Sequence, residues 1–254
     1  SGKGAAGKWT DAATAEHGDL LDLIRGACRL GTTQEVLAEA RRFLGQPRHD
    51  PPQHRAPAQT GSPEAARRLF ALSVPIRGTV AESYLRRRGI TYVQKLPALR
   101  FHRRCYYRAG DDTPRETWPA LLAAVTDNSG TVTGVHRTWL ARDGTDKAPV
   151  ATPRRAMGHI LGNGVRFGTA RDVLAAGEGI ETVLSLRCVL PRFRMIAALS
   201  ASHLAALELP SSLRRLYIAR DNDDAGRRAA EALSARTEAS GIEALTLTPT
   251  ADDF

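Results

Sequence analysis

Short apolar runs alternate with longer amphipathic stretches through the last third of the chain. Residues 172–177, 193–199, 213–219 and 242–247 are apolar and of strand length, while residues 180–190, 200–209 and 224–240 place apolar positions at helical spacing. Ser200 or Ser202 stands where a helix N-cap belongs, and Gly241 where a helix stops. This alternation predicts an α/β fold, a parallel sheet covered by helices. Ligands of such sheets bind beyond the carboxyl ends of the strands. Upstream, residues 64–170 mix two helical patterns (64–72 and 80–88) with strand-like runs at 121–126 and 131–140, joined by an Asn128-Ser129-Gly130 turn. Residues 1–46 predict two helices, 18–29 and 33–43, the second capped by Thr32 or Thr33. Residues 47–63 begin Pro-rich, have no period and predict a linker.

Charge sharpens this division. The 254 residues carry 36 Lys+Arg against 27 Asp+Glu, net +9. Residues 64–170 hold 18 basic and 8 acidic residues, net +10, whereas 171–254 are near −2. The middle section therefore favours polyanionic partners and the last does not. Cys28, Cys105 and Cys188 form no CxxC pair, so neither a zinc ribbon nor a disulfide framework is readable. A reducing, cytoplasmic compartment is expected. No run of 18 apolar residues and no signal peptide is present. The opening Ser-Gly without Met, and the stop after Asp-Asp-Phe, read as a piece of a longer chain.

The carboxylates fall at telling places. Glu178 follows the strand-like run ending in Gly177, and Asp221 and Asp223 follow the run ending in Ala219 and Arg220. Asp252 and Asp253 follow the last run. All lie at the same edge of one predicted sheet. Asp221 and Asp223, two apart, share a side in extended chain. Clustered carboxylates repel unless a cation lies among them, and hard oxygen donors suit Mg²⁺ or Mn²⁺. Gly177 and Gly179 are expected to let the backbone turn sharply beside Glu178. Taken singly, Asp223 or Asp224 would serve as a helix N-cap, and Glu178 as a solvated loop residue. An EF-hand is excluded by Ala225 and Ala232 at ligand positions. The GxxxxGK string at Gly2–Lys8 has Trp9 where a P-loop needs Ser or Thr, and no strand precedes it.

Gly177-Glu178-Gly179-Ile180-Glu181-Thr182, followed by Asp221-Asn222-Asp223-Asp224-Ala225-Gly226, resembles the Toprim signature. Toprim domains are shared by bacterial primases, topoisomerases and several nucleases. The resemblance covers about 80 residues and implies metal-binding catalytic roles for Glu178, Asp221 and Asp223, with Asp252 and Asp253 as a further acidic motif. Asp224 is left to capping or support, and Glu181 to a structural role on the helix surface. Gly134-Val135-His136-Arg137-Thr138-Trp139-Leu140 and Asp146-Lys147 are similar to the basic motif before Toprim in primases, more closely in those of plasmids and phages. That likeness implies nucleotide or template contacts by Arg137 and Lys147. Residues 7–24 resemble the end of a primase zinc-binding domain, with His17 a packing or capping residue.

The resemblance implies four regions: an N-terminal helical segment (1–46), a linker (47–63), a basic α+β primase-core subdomain (64–170) and a Toprim domain (171–254). It implies metal-dependent synthesis of short primers on single-stranded DNA from nucleoside triphosphates, with a replicative helicase as a further partner and no membrane. The runs Arg86–Arg88, Arg103–Arg104 and Arg154–Arg155 could track a phosphate backbone, and Tyr106, Tyr107 and Trp118 could stack bases or pack in a core. Two rivals stay open: a Toprim nuclease or topoisomerase fragment, and a non-catalytic Toprim module that binds nucleic acid.

Overall fold

The computed structural model describes residues 8–10, 17–43, 61–93, 96–169 and 171–249. Most of the Pro-rich stretch and both Asp252 and Asp253 lie outside these. The chain divides into two compact units, residues 1–58 and 59–254.

In the first unit, β1 (Lys8–Thr10) pairs antiparallel with β2 (His17–Asp19) and leads into α1 (Leu20–Cys28) and α2 (Thr33–Phe43). Both helices were expected. Thr32 caps α2 reciprocally with Glu35: the Glu35 N–H donates to Thr32 Oγ1, and the Thr32 N–H donates to Glu35 Oε2 at 2.9 Å.

The second unit holds two five-stranded sheets. The first runs β3 (Val74–Pro75), β4 (Leu99–Tyr107), β5 (Glu116–Thr126), β6 (Val132–Trp139), β7 (Arg154–Gly158), all antiparallel. Its helices are α3 (Pro63–Ala71), N-capped by the Ser62 hydroxyl, and α4 (Val80–Arg87). The second sheet runs β12 (Glu243–Leu247), β11 (Arg215–Ala219), β9 (Val173–Gly177), β10 (Met195–Ala197), β8 (Val165–Phe167). Its first four strands are parallel and β8 is antiparallel to β10. The predicted helices appear as α5 (Ile180–Val189), a shorter α6 (Ala201–Ala205) and α7 (Asp224–Ala239).

Period-two alternation along β5 divides the core. Leu121, Ala123 and Val125 face one side, with Tyr84 and Leu85 of α4, Val183 and Leu184 of α5, and Met195 of the second sheet. Ala120 and Leu122 face the other side, with Trp139 and the α3 residue Ala66. The far face of the second sheet, including Leu174, Leu216 and Ile218, is covered by Leu204 of α6 and Leu233 of α7. Layered in this way, the first sheet and α5 pack over the face of the parallel sheet opposite α6 and α7. No described helix is long and apolar enough to cross a membrane.

Candidate active site

Register places the acidic loops together. Gly177 pairs with Ala219 across β9 and β11, so Glu178 and Asp221 leave adjacent strands at the same edge. Both line one cavity of about 280 Å³, shared with His136, Thr138, Arg154, Glu181 and Thr182. Burial and the negative charges of Asp221 and Asp223 push the Glu178 carboxyl above its usual range, while the Ala201 N–H works the other way. Both aspartates therefore lie close enough to Glu178 to disfavour its ionised form.

The backbone around Glu178 is held tightly. Its carbonyl accepts the Leu199 N–H at 2.7 Å, and Leu199 adopts φ 84°, a conformation costly for a branched side chain. Gly177 and Gly179 do not occupy the left-handed region. The expected sharp turn is replaced by a packing requirement: a Cβ on Gly177 would lie 2.9 Å from Val183 Cγ2. Gly226 is constrained similarly, since a Cβ there would meet the Asp221 carbonyl at 2.8 Å.

Asp223 is the N-cap of α7, its Oδ1 accepting the Gly226 N–H at 2.6 Å. Asp224 is exposed and pairs with Arg227 at 2.7 Å. Glu181, expected to be structural, bonds to three side chains. Its carboxylate accepts a short hydrogen bond from the Tyr84 phenol and pairs with Arg88 Nε at 3.3 Å and an Arg154 terminal nitrogen at 2.8 Å. Glu181 thus ties α4, β7 and α5 together and aims Arg154 at the carboxylate cavity. Burial and the Glu181 hydrogen bond push the Tyr84 phenol far above its ordinary value.

The strand pleat separates the residues of the basic motif. His136 and Thr138 face the acidic cavity, but Arg137 lies on the opposite face with its guanidinium 4.9 Å from the Trp139 ring. Lys147 bridges Leu140 by its backbone and is not among the residues lining the acidic cavity. The structure therefore brings Glu178 and Asp221 together, keeps Asp223 within electrostatic reach, and places neither Arg137 nor Lys147 beside them.

His136, Arg154 and Glu181 were missed as cavity residues. The missing signal was register: whichever of His136 and Arg137 faces inward, the other cannot. The His136 Nδ1 is buried with no hydrogen-bond partner among the described residues. Burial, then the positive charge of Arg154, depress its pKa to about 4. It is a neutral imidazole at physiological pH.

The donor set suits a hard divalent cation. Glu178 and Asp221 bring carboxylates to the cavity, and Arg154, which lines it with them, is shared with Glu181. Among the described residues no three His, Cys, Asp or Glu side chains close into a ready-made metal cage. Two carboxylates match what Mg²⁺ takes, since it keeps several waters and binds one or two carboxylates plus substrate phosphates. A larger cavity of about 870 Å³, lined by Ile76, Val93 and Leu96 among others, lies away from these carboxylates.

Residues 173–254 match the Toprim domain family, and residues 60–167 match a domain of unknown function (DUF7146). The C-terminal third of the chain is a Toprim domain. No curated protein matches the chain. Several solved structures are similar, three of which follow. The primase fragment of the bacteriophage T7 primase-helicase protein shows 11% identity and TM-score 0.43, over 67% of this chain and 62% of that one. A DNA primase domain from Pseudomonas aeruginosa shows 14% identity and TM-score 0.48, over 74% and 72%. The RNA polymerase domain of Mycobacterium tuberculosis primase DnaG, in complex with double-stranded DNA, shows 15% identity and TM-score 0.46, over 75% and 74%.

Proposed function

We propose, from a Toprim domain whose acidic loops open into a cavity walled by a basic sheet, that the chain is the catalytic core of a primase. Its reaction would be template-directed joining of nucleoside triphosphates into short primers on single-stranded DNA. One observation carries this reading: Glu178 and Asp221 share a cavity with Arg154, which reaches it from another sheet and is pinned by Glu181.

Glu178 and Asp221, supported by Asp223, would hold Mg²⁺ or Mn²⁺. When bound, that ion supplies Lewis-acid stabilisation of charge on the triphosphate and the attacking hydroxyl. Arg154 presents a fixed guanidinium to the phosphates and gains from pre-orientation, because Glu181 holds it before substrate arrives. Thr138 offers a hydroxyl, and neutral His136 a hydrogen-bond group that adds no like charge beside Arg154. In this scheme Arg154 takes the phosphate-facing role that the motif resemblance assigned to Arg137. Asp252 and Asp253, outside the described residues, stay as candidate further donors.

The test supplies single-stranded DNA, labelled ribonucleotides and Mg²⁺ or Mn²⁺, and resolves the products by length. Short oligomers that disappear in Glu178→Gln and Asp221→Asn are the expected result. Template shortening in place of oligomers would identify a nuclease. Tight DNA binding with no product, unchanged by either substitution, would identify a non-catalytic module.

A further inference from the structure

Strands β9 and β10 end side by side, and the loops that leave them stay bonded past the strand ends. Gly177 pairs with Ala197 in register. One residue on, the Ala198 N–H donates to the Gly177 carbonyl at 2.9 Å, and the Leu199 N–H then donates to the Glu178 carbonyl at 2.7 Å. Those two carbonyls belong to the peptide groups on either side of the Glu178 Cα. A peptide group is planar, so holding both restrains the direction in which the Glu178 side chain leaves the backbone. Without these bonds the segment would be loose. Gly177 and Gly179 flank Glu178, and glycine has the most backbone freedom of any residue. Gly179, the N-cap of α5, makes no side-chain bond that could hold the turn.

The second bond comes from a residue in an uncommon conformation. Leu199 has φ 84°, and Arg29 is the only other non-Gly residue with positive φ among those described. Residues of this kind persist only where their surroundings over-determine them, and they gather at functional sites. Leu199 is fixed from three directions. Ala198 before it is bonded to Gly177. Ser200 after it is extended and N-caps α6, its Oγ accepting the His203 N–H at 3.2 Å. Its own side chain packs against the core that holds Leu184 and Met195, and lines the cavity of Glu178 and Asp221.

We propose that Leu199 is a positioning residue for the divalent cation. Its left-handed backbone turns its N–H onto the Glu178 carbonyl and, with the Ala198 bond, holds the Glu178 carboxylate in the cavity shared with Asp221. The inference rests on the reading of Glu178 and Asp221 as ligands of that ion. Metal ligands are aimed by the groups behind them, and losing such a group weakens metal binding tenfold or more. Here the group is a backbone N–H, so the side chain at position 199 matters through the conformation it permits.

The experiment titrates the whole chain with Mn²⁺ and reads the free ion by electron paramagnetic resonance. Leu199→Ile keeps size and apolarity but puts a β-branched residue at positive φ, where it is a genuine outlier. It is expected to weaken Mn²⁺ binding roughly tenfold or more. Leu199→Asn discards the apolar side chain but suits positive φ, and is expected to bind Mn²⁺ like wild type. A residue that merely packs would give the reverse order, with Ile tolerated and Asn harmful; that order overturns the proposal, as does wild-type affinity in both variants. A second measurement needs no substitution at Leu199. Coupling is reciprocal, so an N–H that favours the ion is itself stabilised when the ion binds. Hydrogen exchange of the Leu199 amide, followed by NMR, is expected to slow when Mg²⁺ is added to wild type and to stay unmoved in Glu178→Gln. Unchanged exchange in a wild type that binds Mn²⁺ overturns the assignment even where Leu199→Ile does not fold. A wild type that binds no Mn²⁺ sinks the catalytic-ion reading together with this one, whereas Mn²⁺ binding indifferent to Leu199→Ile sinks this one alone.

Discussion

Glu178 carries a proton affinity raised first by burial and then by two neighbouring aspartates. An acid whose folded pKa is raised opposes folding in its charged form, and either protonation or a bound cation relieves that cost. Glu178→Gln should therefore raise the melting temperature of the metal-free protein while abolishing primer synthesis. Millimolar Mg²⁺ or Mn²⁺ should stabilise the wild type and leave the variant unmoved; differential scanning fluorimetry checks both arms. His136 works in the opposite sense. Its folded pKa, about 4, lies below the ordinary value of 6.5. The unfolded chain then binds the proton more readily, so stability is complete above about pH 6.5 and falls as pH drops toward 4. His136→Gln should flatten that part of the melting-temperature profile. Glu181→Gln keeps shape but removes the charge that pins Arg154. It should raise KM for nucleoside triphosphate more than it lowers kcat, a split that steady-state kinetics reads directly.

The elements were legible where period and capping agreed, and illegible where geometry broke the period. Helices α2, α5 and α7 and the four parallel strands follow from alternation in the sequence. The first sheet was only half read. In β4, a bulge between His102 and Cys105 shifts the register against β5, so Leu99 and Phe101 face one core and Cys105 and Tyr107 the other. A strand that changes face midway, with Arg103 and Arg104 exposed at the change, shows no single alternation. Edge strand β7, Arg-rich at its start, gave no apolar run at all. The carboxylates were found because a loop at a strand's carboxyl end needs no register to be placed, whereas assigning Arg137 to the cavity required knowing which way β6 faces. At this scale Gly226→Ala is informative. Alanine normally favours a helix over glycine by about 1 kcal/mol, but here its Cβ would meet the Asp221 backbone. The substitution should destabilise by about 1–3 kcal/mol and reduce activity, as urea melts and primer assays would record. Gly241→Ala, at φ 75° with open space around it, should lose about 1 kcal/mol with activity intact.

Across the second unit, charge and chemistry are held by different sheets. Residues 64–170 carry net +10, and the segment from 171 onward is near −2. The acidic sheet repels a polyanion unless a cation is bound, and the basic sheet attracts one with or without it. Template capture and catalysis should therefore respond to different variables. Counterion release makes capture steep in salt, with an affinity slope of about 0.7 per phosphate neutralised on a single strand. A divalent ion held by the carboxylate cavity would be engaged at contact distance, where screening acts weakly. Raising KCl from about 50 to about 200 mM should thus raise the KM for template by roughly tenfold or more, while kcat at saturating template changes little. If kcat falls in parallel with template affinity, template and catalytic ion are being held by one cluster of charges, and the division of labour between the two sheets is wrong.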